Sequence, residues 1–342
     1  MAYISFQPND YFNTKLYTGN GSTNAQTGVG FQPDWVWLKG RSNTGSNKLM
    51  DAVRGSSSSL CTNNTNAAEG ADYFASFDSD GFTVATTSND INANGQTYAS
   101  WNWKANGQGS ANSDGTITTT YTSASATSGF SVCQYTGTGA NATVGHGMGV
   151  APKMVIVKQT NTTRDWAVYH KYSNPDGTGS QYYLHLNNSD PRASNSAFWN
   201  NTDPTSSVFH LGSNHNVNGS GGTYIAYCFA DIQGYSKFGS YTGNGNADGS
   251  FIYTGFKPAW LMLKKTNGTE SWIMVDTTRG LYNSAYKYLL ADTTGAEAGD
   301  LAYDILSNGF KFRGTSQNGS GDTFIYMAFA EEPLVSSNGV PA

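Results

Sequence analysis

Tyr17-Thr18-Gly19-Asn20-Gly21 returns as Tyr135-Thr136-Gly137-Thr138-Gly139 and again as Tyr241-Thr242-Gly243-Asn244-Gly245. Each copy is followed by a proline and an apolar run ending in lysine: Pro33-Asp34-Trp35-Val36-Trp37-Leu38-Lys39, Pro152-Lys153-Met154-Val155-Ile156-Val157-Lys158 and Pro258-Ala259-Trp260-Leu261-Met262-Leu263-Lys264. A third run closes each unit: Thr97-Tyr98-Ala99-Ser100-Trp101-Asn102-Trp103, Thr223-Tyr224-Ile225-Ala226-Tyr227-Cys228-Phe229 and Thr323-Phe324-Ile325-Tyr326-Met327-Ala328-Phe329. Smaller echoes keep the same order between them: Leu60 with Asn63, Leu184 with Asn187 and Leu289 with Asp292, then Phe82-Thr83-Val84, Phe209-His210-Leu211 and Phe310-Lys311-Phe312. The matching tyrosines stand 118 and then 106 residues apart, a domain-sized period and too long for a solenoid.

These pieces read as strands. The closing run of the first unit alternates with a period of two, and the runs after the prolines are apolar on both faces, as in a strand at the centre of a sandwich. Asn94-Gly95, Asn218-Gly219 and Asn318-Gly319 are expected to close tight hairpins before the last strand of each unit, and Asp80-Gly81 and Asn308-Gly309 before the Phe82 and Phe310 strands. The fold expected is all-β: three tandem β-sandwich, jelly-roll-like domains of about 100 residues each. The boundaries are an N-terminal arm 1–13, repeat one 14–105, a Gly/Ser/Thr-rich connector 106–128, repeat two 129–232, repeat three 233–332 and a tail 333–342. The connector reads as flexible or, through residues 116–121, as an edge strand open to pairing between subunits. Repeats two and three are expected to pack rigidly, with repeat one more loosely placed. Long helices are not expected, and the one helical turn considered is Tyr286-Lys287-Tyr288-Leu289-Leu290.

Composition narrows the function. Only 13% of the 342 residues are charged, against about 25% in an ordinary soluble domain, while 13% are aromatic and 40 are glycine. So much aromatic surface argues against disorder. A net charge of −5 leaves no basic footprint for nucleic acid. No run reaches the length of a membrane helix, and Met1-Ala2-Tyr3-Ile4-Ser5-Phe6 does not read as a secretory signal. Cys61, Cys133 and Cys228 are odd in number and far apart, so they read as free core thiols.

Each candidate for chemistry has a structural reading beside the functional one. Asp51-x-x-Arg54, repeated as Asp276-x-x-Arg279, suits an anion or a sugar, but an internal ion pair stapling a turn is the better reading; repeat two has His170 in place of the Asp. All five histidines, His146, His170, His185, His210 and His215, fall in repeat two without metal-ligand spacing, so no metal site is expected. Asp78-Ser79-Asp80-Gly81 begins like a calcium loop but lacks the later ligands, and a β-turn is preferred. Glutamate occurs only at Glu69, Glu270, Glu297, Glu331 and Glu332, without a paired acid. The chain is therefore read as a non-enzyme with no catalytic residues and no cofactor. Tyr121, Tyr182, Tyr183, Trp199 and Tyr282 lie in or near Asn- and Ser-rich loops and are the candidate ligand or host contacts; the other reading is that they cap the core.

The sequence also resembles a known group. Phe12-x-Thr14-Lys15-x-Tyr17-Thr18-Gly19-Asn20-Gly21, Val29-Gly30-Phe31-Gln32-Pro33-Asp34-Trp35-Val36-Trp37 and Asp78-Ser79-Asp80-Gly81-Phe82 look like a repeat domain of uncharacterised virion structural proteins from marine tailed bacteriophages. Val144-Gly145-His146-Gly147, Val150-Ala151-Pro152-Lys153-Met154 and Tyr227-Cys228-Phe229-Ala230 leading into Lys237-Phe238-Gly239-Ser240-Tyr241 fit the same type, so that the likeness covers most of residues 12–332. The resemblance implies a phage virion structural protein, foremost a tail-fibre or other appendage component contacting the host surface. A capsid decoration or head-fibre protein is the alternative, and a glycan-degrading spike a third. The implied partners are other virion proteins and a host cell-surface glycan or protein, with no nucleic acid and no membrane insertion. A homo-oligomer, a trimer, is expected, in the virion after assembly in the host cytoplasm. The arm around Phe6-Gln7-Pro8 is the candidate virion dock.

Overall fold

Three consecutive stretches of chain each build one large antiparallel sheet and one small one in the computed structural model, which describes residues 6–70, 73–85, 87–280, 283 and 286–330. The large sheets share a common order. In the first, Phe12–Thr18 pairs with Thr97–Trp103, followed by Trp35–Gly40, Lys48–Asp51, Ser58–Cys61 and Glu69–Gly70. The second runs Phe130–Thr136, Thr223–Phe229, Met154–Gln159, Ala167–His170, Tyr182–His185 and Ala193–Ser194, with Tyr121–Ser125 added at its outer edge. The third runs Ser236–Thr242, Thr323–Ala330, Pro258–Lys265, Ile273–Asp276 and Leu289–Leu290. Register repeats too: Tyr17 lies opposite Tyr98, Tyr135 opposite Tyr224 and Tyr241 opposite Phe324.

The repeated sequence motif has a repeated physical cause. A side chain on Gly19, Gly137 or Gly243 would sit 2.2–2.3 Å from the carbonyl oxygen of Ala93, Gly219 or Gly319, so the chain must be bare there. Two residues on, Gly21, Gly139 and Gly245 hold φ between 69° and 77°, the left-handed region glycine enters at no steric cost.

Both faces of each large sheet are covered, as the apolar runs required. The outer face packs on the unit's own small sheet: Val36, Leu38 and Tyr98 meet Phe74, Phe82 and Val84 in unit one. Val155, Val157 and Tyr224 meet Phe209 and Leu211 in unit two, and Leu261, Leu263 and Tyr326 meet Phe310 and Phe312 in unit three. The inner faces of all three turn toward one shared core, where Trp35, Trp37 and Trp101 join Ile156, Tyr227, Met262 and Met327. Trp103, Phe229 and Phe329 hold equivalent places in the three closing strands, and their ring centroids lie 5.5–6.5 Å apart, each touching the other two. That triad marks a pseudo-threefold axis.

The units are tied in a closed ring by equivalent hydrogen bonds. Backbone N–H groups of Ala68, Arg192 and Glu297 donate to the carbonyls of Thr160, Thr266 and Arg41, joining unit one to two, two to three and three to one. The indole of Trp166 donates to Cys61 O, that of Trp272 to His185 O, and the amide of Asn47, at the matching position, to Leu290 O. Three buried lysines complete the set: Lys39, Lys158 and Lys264 donate to the carbonyls of Thr294, Thr65 and Ser189, each in the neighbouring unit.

Several expectations change. Unit one is not loosely placed: Trp35 stacks on Tyr227 at 4.7 Å and Phe12 on Phe329 at 5.2 Å. Residues 106–128 are held down, with Ile117 buried against Val144; the edge strand is Tyr121–Ser125, displaced from 116–121. Residues 286–290 give no helical turn but a bridge at Tyr288 and the strand Leu289–Leu290. Tight hairpins form beside Asp80-Gly81 and Asn308-Gly309, but their loop residues are Ser79-Asp80 and Ser307-Asn308, with Gly81 and Gly309 already paired in the strands; Gly219 and Gly319 do not adopt positive φ. Asn218 and Asn318 are instead buried, and their amides bind the turns that carry Gly139 and Gly245.

Candidate functional site

The Asp-x-x-Arg motifs are staples between units. Arg54 Nε lies 2.6 Å from Asp51 Oδ2, which also accepts the Tyr227 hydroxyl at 2.8 Å from unit two. Arg279 Nε lies 2.5 Å from Asp276 Oδ2, which accepts the Trp101 indole N–H at 3.0 Å from unit one, and the guanidinium covers the Trp101 ring at 5.4 Å. Unit two closes the same joint without charge. His170 stands at the Asp position, its Nε2 donates to Tyr326 O at 3.2 Å, and its Nδ1 accepts the Tyr172 N–H. Burial drives the His170 pKa down to about 3, so the imidazole is neutral.

The other polar candidates are also occupied with structure. His146 bridges Thr205 O and the Met148 N–H. Asp78 accepts the hydroxyls of Ser76 and Thr83, while the Asp80 carboxylate binds the N–H groups of Gly28 and Gly30, which makes this segment a turn. Among the described residues, no three His, Cys, Asp or Glu side chains gather into a metal-sized group. The three cysteines are free and buried.

The aromatic candidates do not converge. Trp199 is 2% exposed and packs on Tyr169, so it is a core residue and not a surface contact. Tyr183 stacks on Phe198 at 3.7 Å, which leaves little of its face free. Half-buried Tyr121 lies against the shared core, and Tyr182 packs under the Arg192 guanidinium at 5.3 Å. Tyr282 lies outside the described residues, as does the expected tail 333–342. At the N-terminus, Phe6 packs on Tyr11 and Tyr235, and Pro8 is buried in a short 3-10 turn, Pro8–Asp10; both are used within the chain.

What the structure opens instead is a cleft of about 280 Å³ in unit three, between the edge of its large sheet and the loops that flank its small sheet. Ile273, Leu290 and Leu301 supply apolar wall, and Glu270, Asp300, Gln317, Tyr288, Ser271 and Ser316 supply polar groups. Gln317 Nε2 donates to Glu270 Oε1, and the Gln317 backbone holds φ 55°, left-handed for a residue that is not glycine. Burial, and after it the nearby Asp300 carboxylate, raises the Tyr288 pKa. The exposed large apolar side chains concentrate in the same unit: Phe251 at 46%, Tyr253 at 61% and Tyr286 at 40%, with only Val150 at 38% elsewhere among the described residues. Phe251 and Tyr253 flank buried Ile252 on the strand Phe251–Tyr253 and therefore point to one face.

Sequence reading missed this cleft because its residues are distant in the chain. One signal was available: Gln317 stands where units one and two carry buried Ile91 and Val217, a polar departure from an apolar repeat position.

These features define an all-β protein of three sandwich-like units closed about one core, with a polar cleft in the last. The chain belongs to the family described as domain of unknown function DUF7483, which matches residues 7–333. No curated protein and no solved structure shows a significant match.

Proposed function

We propose that the chain is a structural component of a tailed-phage virion, a tail-fibre or other appendage component whose third unit meets the host cell surface. The likeness of residues 12–332 to phage virion proteins supports the class. The observation that carries the host-facing part is the asymmetry of a nearly threefold body. At the positions of Phe251 and Tyr253, unit one carries Ala25 and Thr27 and unit two Thr143 and Gly145, all small, while unit three holds the open cleft and the two exposed aromatic rings. Exposed aromatic faces stack on sugars and tolerate partial burial at an interface. In this reading the protein binds without turning its ligand over, joins other virion proteins during assembly in the host cytoplasm, and acts from the released particle.

Adsorption competition tests it. Purified chain added to marine bacterial hosts is expected to reduce adsorption of the parent phage in a dose-dependent way, with host glycan left intact. The double variant Phe251→Ala, Tyr253→Ala is expected to compete at least tenfold less well while melting at an unchanged temperature. Absence of both competition and cell binding, together with weakened capsids on deleting the protein, would favour the decoration reading. Release of reducing ends from host polysaccharide would favour the spike.

A further inference from the structure

We propose that the cleft of unit three is a binding site for one neutral pyranose unit of a host-surface saccharide. The proposal deepens the host-contact reading and rests on it for its biological setting, although the chemistry below stands on the cleft alone.

The comparison within the chain carries the argument. In unit two the corresponding ground is filled: the helix Ser196–Trp199 lays Phe198 flat on Tyr183, and Val217 is buried among the same apolar groups. In unit three, Tyr288 holds the place of Tyr183, Gln317 that of Val217 and Leu290 that of His185, and all three line an open space. The same fold, with the plug removed and a polar amide put in, has become a receptacle.

The lining selects the ligand. At about 280 Å³ the cleft lies just under the range of roughly 300–1,000 Å³ filled by drug-sized molecules, which suits a single sugar ring. No lysine or arginine lines it, so it does not favour anions. Glu270 accepts from the Gln317 amide and Asp300 is exposed, so both carboxylates offer acceptor oxygens to sugar hydroxyls; a cation is the competing occupant, which the test below separates. What remains is a set of hydrogen-bond acceptors beside an apolar wall. Gln317 Oε1 is buried with no partner in the protein, an unspent acceptor that a turn of the amide toward the cleft would present to a ligand hydroxyl. Pyranoses present that combination, hydroxyl donors around the rim and C–H groups on the ring faces.

The test is saturation-transfer NMR on the full chain with a panel of methyl glycosides (glucose, galactose, mannose and N-acetylglucosamine), with choline and spermidine as cationic probes. At least one glycoside is expected to bind saturably in the millimolar range. Ser316→Trp, which sets a plug at the exposed rim, and Gln317→Asn, which tolerates the left-handed backbone but withdraws the amide, are each expected to weaken that binding at least tenfold without lowering the melting temperature. Should one variant misfold, the other carries the test. The assignment is overturned if no glycoside binds the folded chain, if binding survives both variants, or if only the cations bind. Sugar binding in the cleft without adsorption competition would sink the host-contact reading alone; competition that survives both variants would sink the cleft alone.

Discussion

At the scale of single residues, the three buried lysines have the sharpest consequence. Burial lowers the pKa of Lys39, Lys158 and Lys264 to about 8 each. Their charged surroundings do not reverse this: Asp90 faces Lys39, Asp165 and Arg164 face Lys158, and Asp292, Glu270, Asp190 and Lys265 face Lys264. Because the folded pKa lies below the unfolded value of about 10.4, the unfolded chain holds more protons between those limits, and stability rises with pH across that window. A depression of this size corresponds to roughly 3 kcal/mol per lysine. The gain ends near pH 10, because buried Tyr17, Tyr135 and Tyr241, held well above their ordinary pKa by desolvation, then cost stability as the unfolded tyrosines ionise. Lys264→Met removes the buried charge but strands the carbonyls of Ser189 and Lys265, at about 1 kcal/mol each. The net expectation is a gain of about 1 kcal/mol at pH 7 and a flatter rise toward pH 9.5, read from urea midpoints at the two pH values. A loss of stability at pH 7, or an unchanged pH slope, would show that the ammonium is not stranded.

At the scale of elements, the buried asparagines set the turns. Asn218 Oδ1 accepts the Thr138 N–H at 2.8 Å, and its Nδ2 donates to Ala140 O and Gly212 O at 2.5 and 2.9 Å. Replacing it with Ala removes three hydrogen bonds, one to the buried Gly212 carbonyl and two to the exposed turn at Thr138 and Ala140, an expected loss of about 2 kcal/mol. Amide exchange of residues 137–141 should accelerate with it, whereas Asn94→Ala, on an exposed turn, should leave melting and exchange nearly unchanged. This pair also shows how far the elements were legible in sequence. The strands followed from periodicity and repetition, and tight hairpins form at Asp80-Gly81 and Asn308-Gly309, each with its loop one residue earlier than the dipeptide. Asn218-Gly219 looked the same in sequence, but there the asparagine points inward and the positive φ falls at Gly221. The dipeptide states that a turn is tolerated; which residue the turn buries depends on a segment about 80 residues earlier. The polar cleft was illegible for the same reason, since Glu270, Asp300 and Gln317 meet only through sheet pairing, while Trp199, which reads as a loop aromatic, is drawn into the core by a one-turn helix.

At the scale of the whole molecule, the inner faces decide how the chain unfolds. Alternation in the closing strands announced two buried faces, and a string of independent sandwiches would use both within each unit. Here the second face of every large sheet is buried only by its two neighbours, so no unit has a finished surface alone. Removing unit three would bare Trp101, Trp103 and Phe229 and leave the Asp276 staple missing from Trp101. Aromatic contacts of this kind contribute about 0.5–1.5 kcal/mol each beyond the area they bury, and several would be lost together. Differential scanning calorimetry is therefore expected to record one transition whose van't Hoff and calorimetric enthalpies agree within about 10%, as for a single cooperative unit. Tyr227→Phe, which removes the hydroxyl bonded to Asp51 across the first joint, should lower that one transition without splitting it. The fragment 1–232 should not fold as a monomer. Two or three resolved transitions, or a folded 1–232 fragment, would mean that the ring is a set of separate domains in contact, and the shared aromatic axis would lose its role as the core.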